Sequence, residues 1–208
     1  MARFITLAGK KQVGKDTSAK MLSDVLSETH SGNIFIVHFA DALKKACNVI
    51  FGISLEDMET EEGKQKLTHV RWPHLNDNPG FTDNWMPDSN GAFMTVREVL
   101  QFVGTELFRN QMDPDVWLNS VFMQPWQESD VVIIADARFP NEAALGRKHG
   151  VLINVSRDTG LGGDSHVSES ALDEFDDYHY RVDNNSSFKE LEMHLSAILM
   201  QNQFVVTA

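Results

Sequence analysis

The chain has 208 residues, 42% of them hydrophobic, which is enough for one substantial core and too short for two ordinary domains. Thirty acidic residues against eighteen basic ones leave a formal charge of −12, which opposes attachment to a polynucleotide backbone; small anions held by a local cluster of cations and N–H groups remain open. The single cysteine, Cys47, excludes an internal disulfide framework, and neither a bilayer-length apolar run of roughly 20 residues nor a basic-then-apolar export segment is present, so a soluble protein of the reducing cytoplasm with no membrane partner is expected.

Residues 4–8 form a short apolar run opening a glycine-containing turn, and Ala19, Leu22, Val25 and Leu26 follow at helical spacing, which predicts strand, loop and helix. Residues 34–39 predict a second buried strand, and Ala42, Leu43, Ala46, Val49 and Ile50 a helix after it. From about 55 to 93 the composition turns polar and acidic, with turn clusters at Asn78-Pro79-Gly80 and Pro87-Asp88-Ser89-Asn90-Gly91; this is an excursion from the repeating pattern. Helical spacing returns with Val96, Val99, Leu100, Val103 and Leu107, while Arg97, Gln101, Gly104 and Phe108 line another face of the same helix. Pro114 sits where the next helix can begin, with Val116, Trp117, Leu118 and Val121 as its apolar content. Residues 131–135 are continuously apolar, the pattern of a strand covered on both faces. Pro140 and Gly150 bracket a helix, residues 151–155 give a further strand, 178–182 a weaker one, and Phe188, Leu191, Leu195 and Leu199 a final helix. Strands alternating with helices predict an α/β fold, a sheet of about five parallel strands covered by helices on both faces, read as one domain over residues 1–208.

Gly9-Lys10-Lys11-Gln12-Val13-Gly14-Lys15-Asp16-Thr17 matches the phosphate-loop spacing G-x-x-x-x-G-K, with Asp16 where Ser or Thr is usual. Glycines let the backbone wrap an anion, N–H groups and a helix N-terminus supply partial positive charge, and Lys15 can reach the β- and γ-phosphates of a nucleotide. A carboxylate facing triphosphate is repelled unless a cation intervenes, so Asp16 either binds Mg²⁺, directly or through water, or is an N-terminal helix residue favoured by the dipole while Thr17 supplies the hydroxyl. Lys10 belongs to the loop and is a candidate donor contact; solvation alone also accounts for it and for Lys11.

The order of several further segments resembles the bacteriophage deoxynucleoside monophosphate kinases, a branch of the P-loop nucleoside monophosphate kinase superfamily. The residues that carry the likeness are Gly14-Lys15-Asp16-Thr17, Phe39-Ala40-Asp41-Ala42-Leu43-Lys44, Val96-Arg97-Glu98-Val99-Leu100-Gln101 with Gly104-Thr105-Glu106, Trp117, Asp136-Ala137-Arg138 with Glu142, and Gly163-Asp164-Ser165-His166-Val167-Ser168-Glu169. The loop with Asp after its Lys is a habit of that family. The resemblance implies a P-loop kinase fold, ATP as phosphoryl donor with Mg²⁺, and acceptor recognition in the helix of Arg97 and Gln101, with Arg97 on phosphate and Gln101 on the base. It also implies a monophosphate-binding region after the second strand, where Asp41 and Lys44 lie. Residues 55–93 match little.

Asp136 ends an apolar strand, where a carboxylate beside the phosphate loop can order Mg²⁺ through water; a turn or N-cap Asp is the plainer reading. Arg138, two residues on, can clamp phosphate in two parallel hydrogen bonds. Glu142 either orients Arg138, contacts the acceptor, or forms a surface ion pair. Lys44 reads equally as a phosphate contact and a solvated helix Lys, and Phe39 and Trp117 as base-stacking or core residues. Arg157 opens a Gly160, Gly162 and Gly163 segment suited to a lid over about 157–170, whose closure would exclude water and bring Arg157 to the transferring group. His166, Ser168 and Glu169 read as lid structure, because an anionic phosphate acceptor needs no strong general base. The eight histidines show no zinc-ligand spacing. The expected activity is therefore MgATP-dependent phosphorylation of deoxynucleoside monophosphates for DNA precursor supply, with Lys15, Arg138 and Arg157 catalytic, in the host cytoplasm if phage-encoded. A homodimer is compatible with the sequence. The alternatives are a P-loop kinase for another phosphorylated metabolite and a nucleotide-binding module without transfer.

Overall fold

A computed structural model of the chain describes residues 2–72, 92–158 and 170–204. In chain order the elements are β1 (Arg3–Ala8), α1 (Lys15–Ser27), β2 (Ile34–Val37), α2 (Ala40–Phe51), α3 (Leu55–Glu59), α4 (Glu61–Lys64), β3 (Leu67–Arg71), β4 (Phe93–Thr95), α5 (Val96–Gln101) with a π-helical continuation (Phe102–Arg109), α6 (Val116–Phe122), β5 (Val131–Ala137), α7 (Pro140–His149), β6 (Gly150–Ser156), β7 (Tyr180–Asp183) and α8 (Phe188–Gln201). They fall into two compact units: Met1–Phe39 with Ser120–Ala208, and Ala40–Asn119.

The first unit is built on one sheet in the order β2-β5-β1-β6-β7, every pairing parallel. Parallel strands need both faces covered, which is why β1 and β5 read as unbroken apolar runs. Side chains alternate between the faces. Ile5, Leu7, Ile133, Ala135, Ile153 and Val155 share one core with Ala19, Leu22 and Leu26 of α1 and Leu191, Leu195 and Leu199 of α8. On the opposite face α7 lies against β1 and β6, with Gly146 over Thr6, and Phe122 packs on Phe4 and Phe39 at 5.1 and 6.1 Å between ring centres. The expected five parallel strands with helices on both faces are present. β2 stops at Val37, short of the expected 39, so His38 and Phe39 leave the sheet at its carboxyl edge.

In the second unit the excursion carries more order than its polar composition suggested. Ser54 caps α3 by accepting the Asp57 N–H, Thr60 caps α4 by accepting the Gly63 N–H, and β3 pairs antiparallel with β4. Thr95 and Glu98 form a reciprocal capping box that starts α5. Cys47, Met58, Trp72, Met94, Val99, Phe102 and Val103 make a second core. The sequence predicted one α-helix from 96 to 108; beyond Gln101 its turns widen to the π type, with the Asn110 N–H donating to the Thr105 carbonyl, so Gly104 and Phe108 do not continue the face of Arg97 and Gln101.

Candidate active site

β1 ends with Ala8 opposite Ala137 of β5 and Asn154 of β6, so the chain leaving it turns over the carboxyl edge of the sheet, where α/β sheets bind ligands. The turn needs two glycines. Gly9 has φ 148° and Gly14 φ 99°, and a Cβ there would strike the Val155 carbonyl oxygen and the Asn184 side chain respectively. The buried Asn184 amide donates to the Val13 carbonyl at 2.8 Å and braces the loop from β7's end. Inside this frame Lys15 is only 6% exposed, and its ammonium donates to the carbonyls of Gly9 at 2.8 Å and Lys10 at 2.7 Å. Behind the ammonium stands the first turn of α1, whose N–H groups no carbonyl earlier in the helix can satisfy. A curved backbone, a helix N-terminus and a buried ammonium together suit an anion of several charges, such as a polyphosphate.

Asp16 and Thr17 are exposed in that first turn, and Asp16 Oδ1 lies 3.0 Å from His38 Nε2. At the adjoining edge Asp136 Oδ1 accepts the Phe39 N–H at 2.7 Å, tying the end of β5 to the residues that leave β2. Glu142 is 2% exposed, and its Oε2 accepts the N–H groups of Arg138 at 2.7 Å and Phe139 at 3.1 Å. Burial rules out the surface ion pair; the carboxylate fixes the main chain that presents Arg138 at the start of α7. Phe39 is buried, on the core side of its two readings.

Beside the loop lies a cavity of about 230 Å³ bordered by Lys10, Val13, Asn154, Arg157, Tyr178 and Arg181. Lys10 pairs with Asp173 at 2.7 Å, and the Arg181 guanidinium sits over the Tyr178 ring at 4.8 Å. Among the described residues that border it, Lys10, Arg157 and Arg181 stand with the carboxylate of Asp173. Arg157 borders the cavity and is exposed, and the Asp158 N–H donates to Asn185 Oδ1 at 2.9 Å; residues 159–169 of the expected lid, including His166, Ser168 and Glu169, lie outside the described residues.

The expected acceptor residues of the second unit form their own set. Asp41 is in the first turn of α2, where the dipole favours it. Lys44 Nζ donates to Glu59 Oε1 at 2.8 Å, and Arg97 to Glu61 Oε2 at 2.7 Å. Gln101 is half-buried at the end of α5. Trp117 is 6% exposed, donates its indole N–H to the Gly104 carbonyl at 2.9 Å and packs on Phe108 at 5.1 Å, so packing alone accounts for it. Sequence reasoning overlooked His38, Asn184, Glu61 and Lys64. A polar residue ending a parallel strand and the mixed charges of Glu59, Glu61, Glu62, Lys64 and Lys66 were the available signals.

Residues 33–195 match the model of a family described as deoxynucleotide monophosphate kinase. The match begins after the phosphate loop, so the loop and the family match are separate observations. A protein of Acanthamoeba polyphaga mimivirus, named as a candidate deoxynucleotide monophosphate kinase, is 30% identical over 203 residues, covering 90% of this chain and 91% of its own. The deoxynucleoside-5′-monophosphate kinase of Escherichia phage T5 is 27% identical over 195 residues, covering 74% and 78%. Among solved structures, shikimate kinase from Aquifex aeolicus superposes with a TM-score of 0.53 at 12% identity, over 96% of this chain and 98% of that one, a likeness of fold.

Proposed function

The chain belongs to the deoxynucleotide monophosphate kinase family, and from that premise we propose that it moves the γ-phosphoryl group of MgATP onto the 5′-phosphate of a deoxynucleoside monophosphate, releasing ADP and the deoxynucleoside diphosphate. The observation that carries the donor side is the glycine-framed loop closed round the buried Lys15 ammonium. A phosphate oxygen of the acceptor attacks the γ-phosphorus while the bond to the β,γ-bridging oxygen breaks; the attacking oxygen is already anionic, so the protein's work is positioning and charge neutralisation. Lys15 and the backbone of Gly9, Lys10 and Gly14 bind the donor phosphates. Arg97, Lys44 and Arg138 bind the acceptor phosphate, Asp41 and Gln101 the rest of the acceptor, with Trp117 and Glu142 supporting that side. Arg157 neutralises charge on the transferring group.

Asp16, Thr17 and Asp136 offer the hard oxygen ligands that Mg²⁺ prefers, and an ion held by so few side chains would keep water and nucleotide oxygens as its other ligands. When bound, the ion would supply neutralisation of the charge that develops on the donor phosphates. We read residues 1–208 as one catalytic chain acting on small nucleotides rather than polynucleotide. No helix among the described residues is long and apolar enough to cross a membrane, and the viral relatives support a role in DNA precursor supply in an infected host's cytoplasm. Coupled assays with ATP and each of the four deoxynucleoside monophosphates, with Mg²⁺ and with a chelator, test this. Turnover of at least one acceptor, lost on chelation, is expected; no turnover of any, in folded protein, overturns it.

A further inference from the structure

Within the second unit the Glu61 carboxylate is shared between two cations. Its Oε2 accepts from Arg97 at 2.7 Å, and its Oε1 lies 3.7 Å from Lys64 Nζ. Lys64 Nζ also donates to the Glu59 carbonyl at 3.4 Å, and the Glu59 side chain holds Lys44 Nζ at 2.8 Å. Among the described residues, three cations from α2, α4 and α5 thus meet the carboxylates of Glu59 and Glu61. The cations are the sheltered half of the cluster: the side chains of Lys44, Lys64 and Arg97 are 16%, 22% and 27% exposed, those of Glu59 and Glu61 57% and 53%. Burial pulls the Lys64 ammonium below its ordinary value and Lys44 and Arg97 push the same way, against the attraction of Glu61 and Glu59. The ends of α3 and α4 are capped by Ser54 and Thr60, so the short helices do not depend on the glutamates for capping.

We propose that the Glu61 carboxylate stands where the 5′-phosphate of the acceptor binds, and that Lys64 joins Arg97 and Lys44 as a phosphate-binding cation. This rests on the reading of Arg97 and Lys44 as acceptor contacts. A carboxylate offers two oxygens and one negative charge to a guanidinium and an ammonium. A phosphate monoester offers three oxygens and close to two charges, so it serves all three cations where Glu61 serves two. Exposed ion pairs exchange partners at little cost, and a half-exposed Glu61 can turn to solvent as the phosphate arrives. Glu61 then works as a removable counterion: it keeps the cations assembled before the acceptor arrives and competes weakly with it afterwards. The same geometry gives selectivity for phosphorylated acceptors, because a nucleoside without phosphate cannot displace the carboxylate.

The test is direct binding by titration calorimetry on the full chain, using each deoxynucleoside monophosphate, the matching deoxynucleosides and a non-hydrolysable ATP analogue. For Lys64→Gln, the monophosphate Kd is expected to rise roughly tenfold, with ATP-analogue and nucleoside binding unchanged and Lys64→Arg recovering most of the loss. For Glu61→Gln, a severalfold tightening toward the monophosphate is expected, because the competing charge is gone. Unchanged monophosphate binding by folded Lys64→Gln, or weaker monophosphate binding by Glu61→Gln, overturns the proposal. If Lys64→Gln does not fold, the direction of the Glu61→Gln shift decides alone. If the unaltered chain binds ATP analogue but no monophosphate, the acceptor reading itself falls, and this assignment with it.

Discussion

Lys15 is a charge around which a loop has folded: its ammonium is held by two neutral carbonyls of the same turn and is almost wholly removed from solvent. In the role proposed for it, such a cation, fixed before the substrate arrives, would stabilise charge that develops during transfer without having to reorganise. Lys15→Ala should therefore lower kcat about 10²–10³-fold and raise the KM for ATP while leaving the KM for the monophosphate near its original value. Lys15→Arg should not restore it, because a planar guanidinium cannot replace a compact ammonium between the Gly9 and Lys10 carbonyls; steady-state kinetics on both variants decides. The turn round Lys15 was legible because a glycine-framed spacing between a strand and a helix predicts that backbone geometry. Asn184, which braces the same loop through Val13, was not: a lone amide at the end of a distant strand has no spacing to betray it.

Two contacts around the sheet of the first unit make predictions of their own. Glu142, in the first turn of α7, accepts two main-chain N–H groups from a buried position, so Glu142→Ala strands both donors. A loss of about 2–4 kcal/mol is expected, with Glu142→Gln milder because an amide oxygen still accepts; denaturant midpoints measure both. His179, just before β7, accepts the Leu152 N–H at Nδ1 at 3.0 Å, and burial, assisted by Arg147, lowers its pKa from the ordinary 6.5. Because the folded value lies below the unfolded one, the stability this neutral imidazole contributes is complete above pH 6.5 and is lost as pH falls through the folded value. Wild type should lose thermal stability below pH 6.5 more steeply than His179→Gln, a comparison that scanning calorimetry at stepped pH makes. At this scale the sequence was most readable where burial imposes a pattern. β1 and β5 announce themselves as apolar runs, whereas α3, α4 and the β3–β4 pair are short, capped by single hydroxyls and polar on their outer faces. The π turn after Gln101 was illegible for another reason: Val96, Val99, Leu100, Val103 and Leu107 keep ordinary α-helical spacing, and nothing in it marks the switch to wider turns.

For the molecule as a whole, the net charge of −12 and the cation-rich walls have to be taken together. Within that acidic total, Lys10, Arg157 and Arg181 gather round one cavity of the first unit, and Lys44, Lys64 and Arg97 gather round Glu59 and Glu61 in the second. That distribution, rather than the total, is what a sequence charge count could not reveal. It also implies that nucleotides stabilise the fold they bind. A ligand that binds only the native state at a hundred times its Kd adds about 2.7 kcal/mol, and for a chain of this size each kcal/mol raises Tm by roughly 2–4 °C. MgADP at that concentration should raise the Tm of the wild type by about 5–10 °C. At the same ligand concentration the Lys15→Ala variant should show little of this shift, because its affinity has fallen. The chain has two compact units, so the location of the shift is informative as well as its size. If the units melt separately, MgADP should move the transition of the unit that holds Lys15, and a deoxynucleoside monophosphate that of the unit holding Lys44, Lys64 and Arg97. Differential scanning calorimetry with each ligand alone reads both, and a MgADP shift equal in wild type and Lys15→Ala would mean that the nucleotide binds somewhere other than the loop.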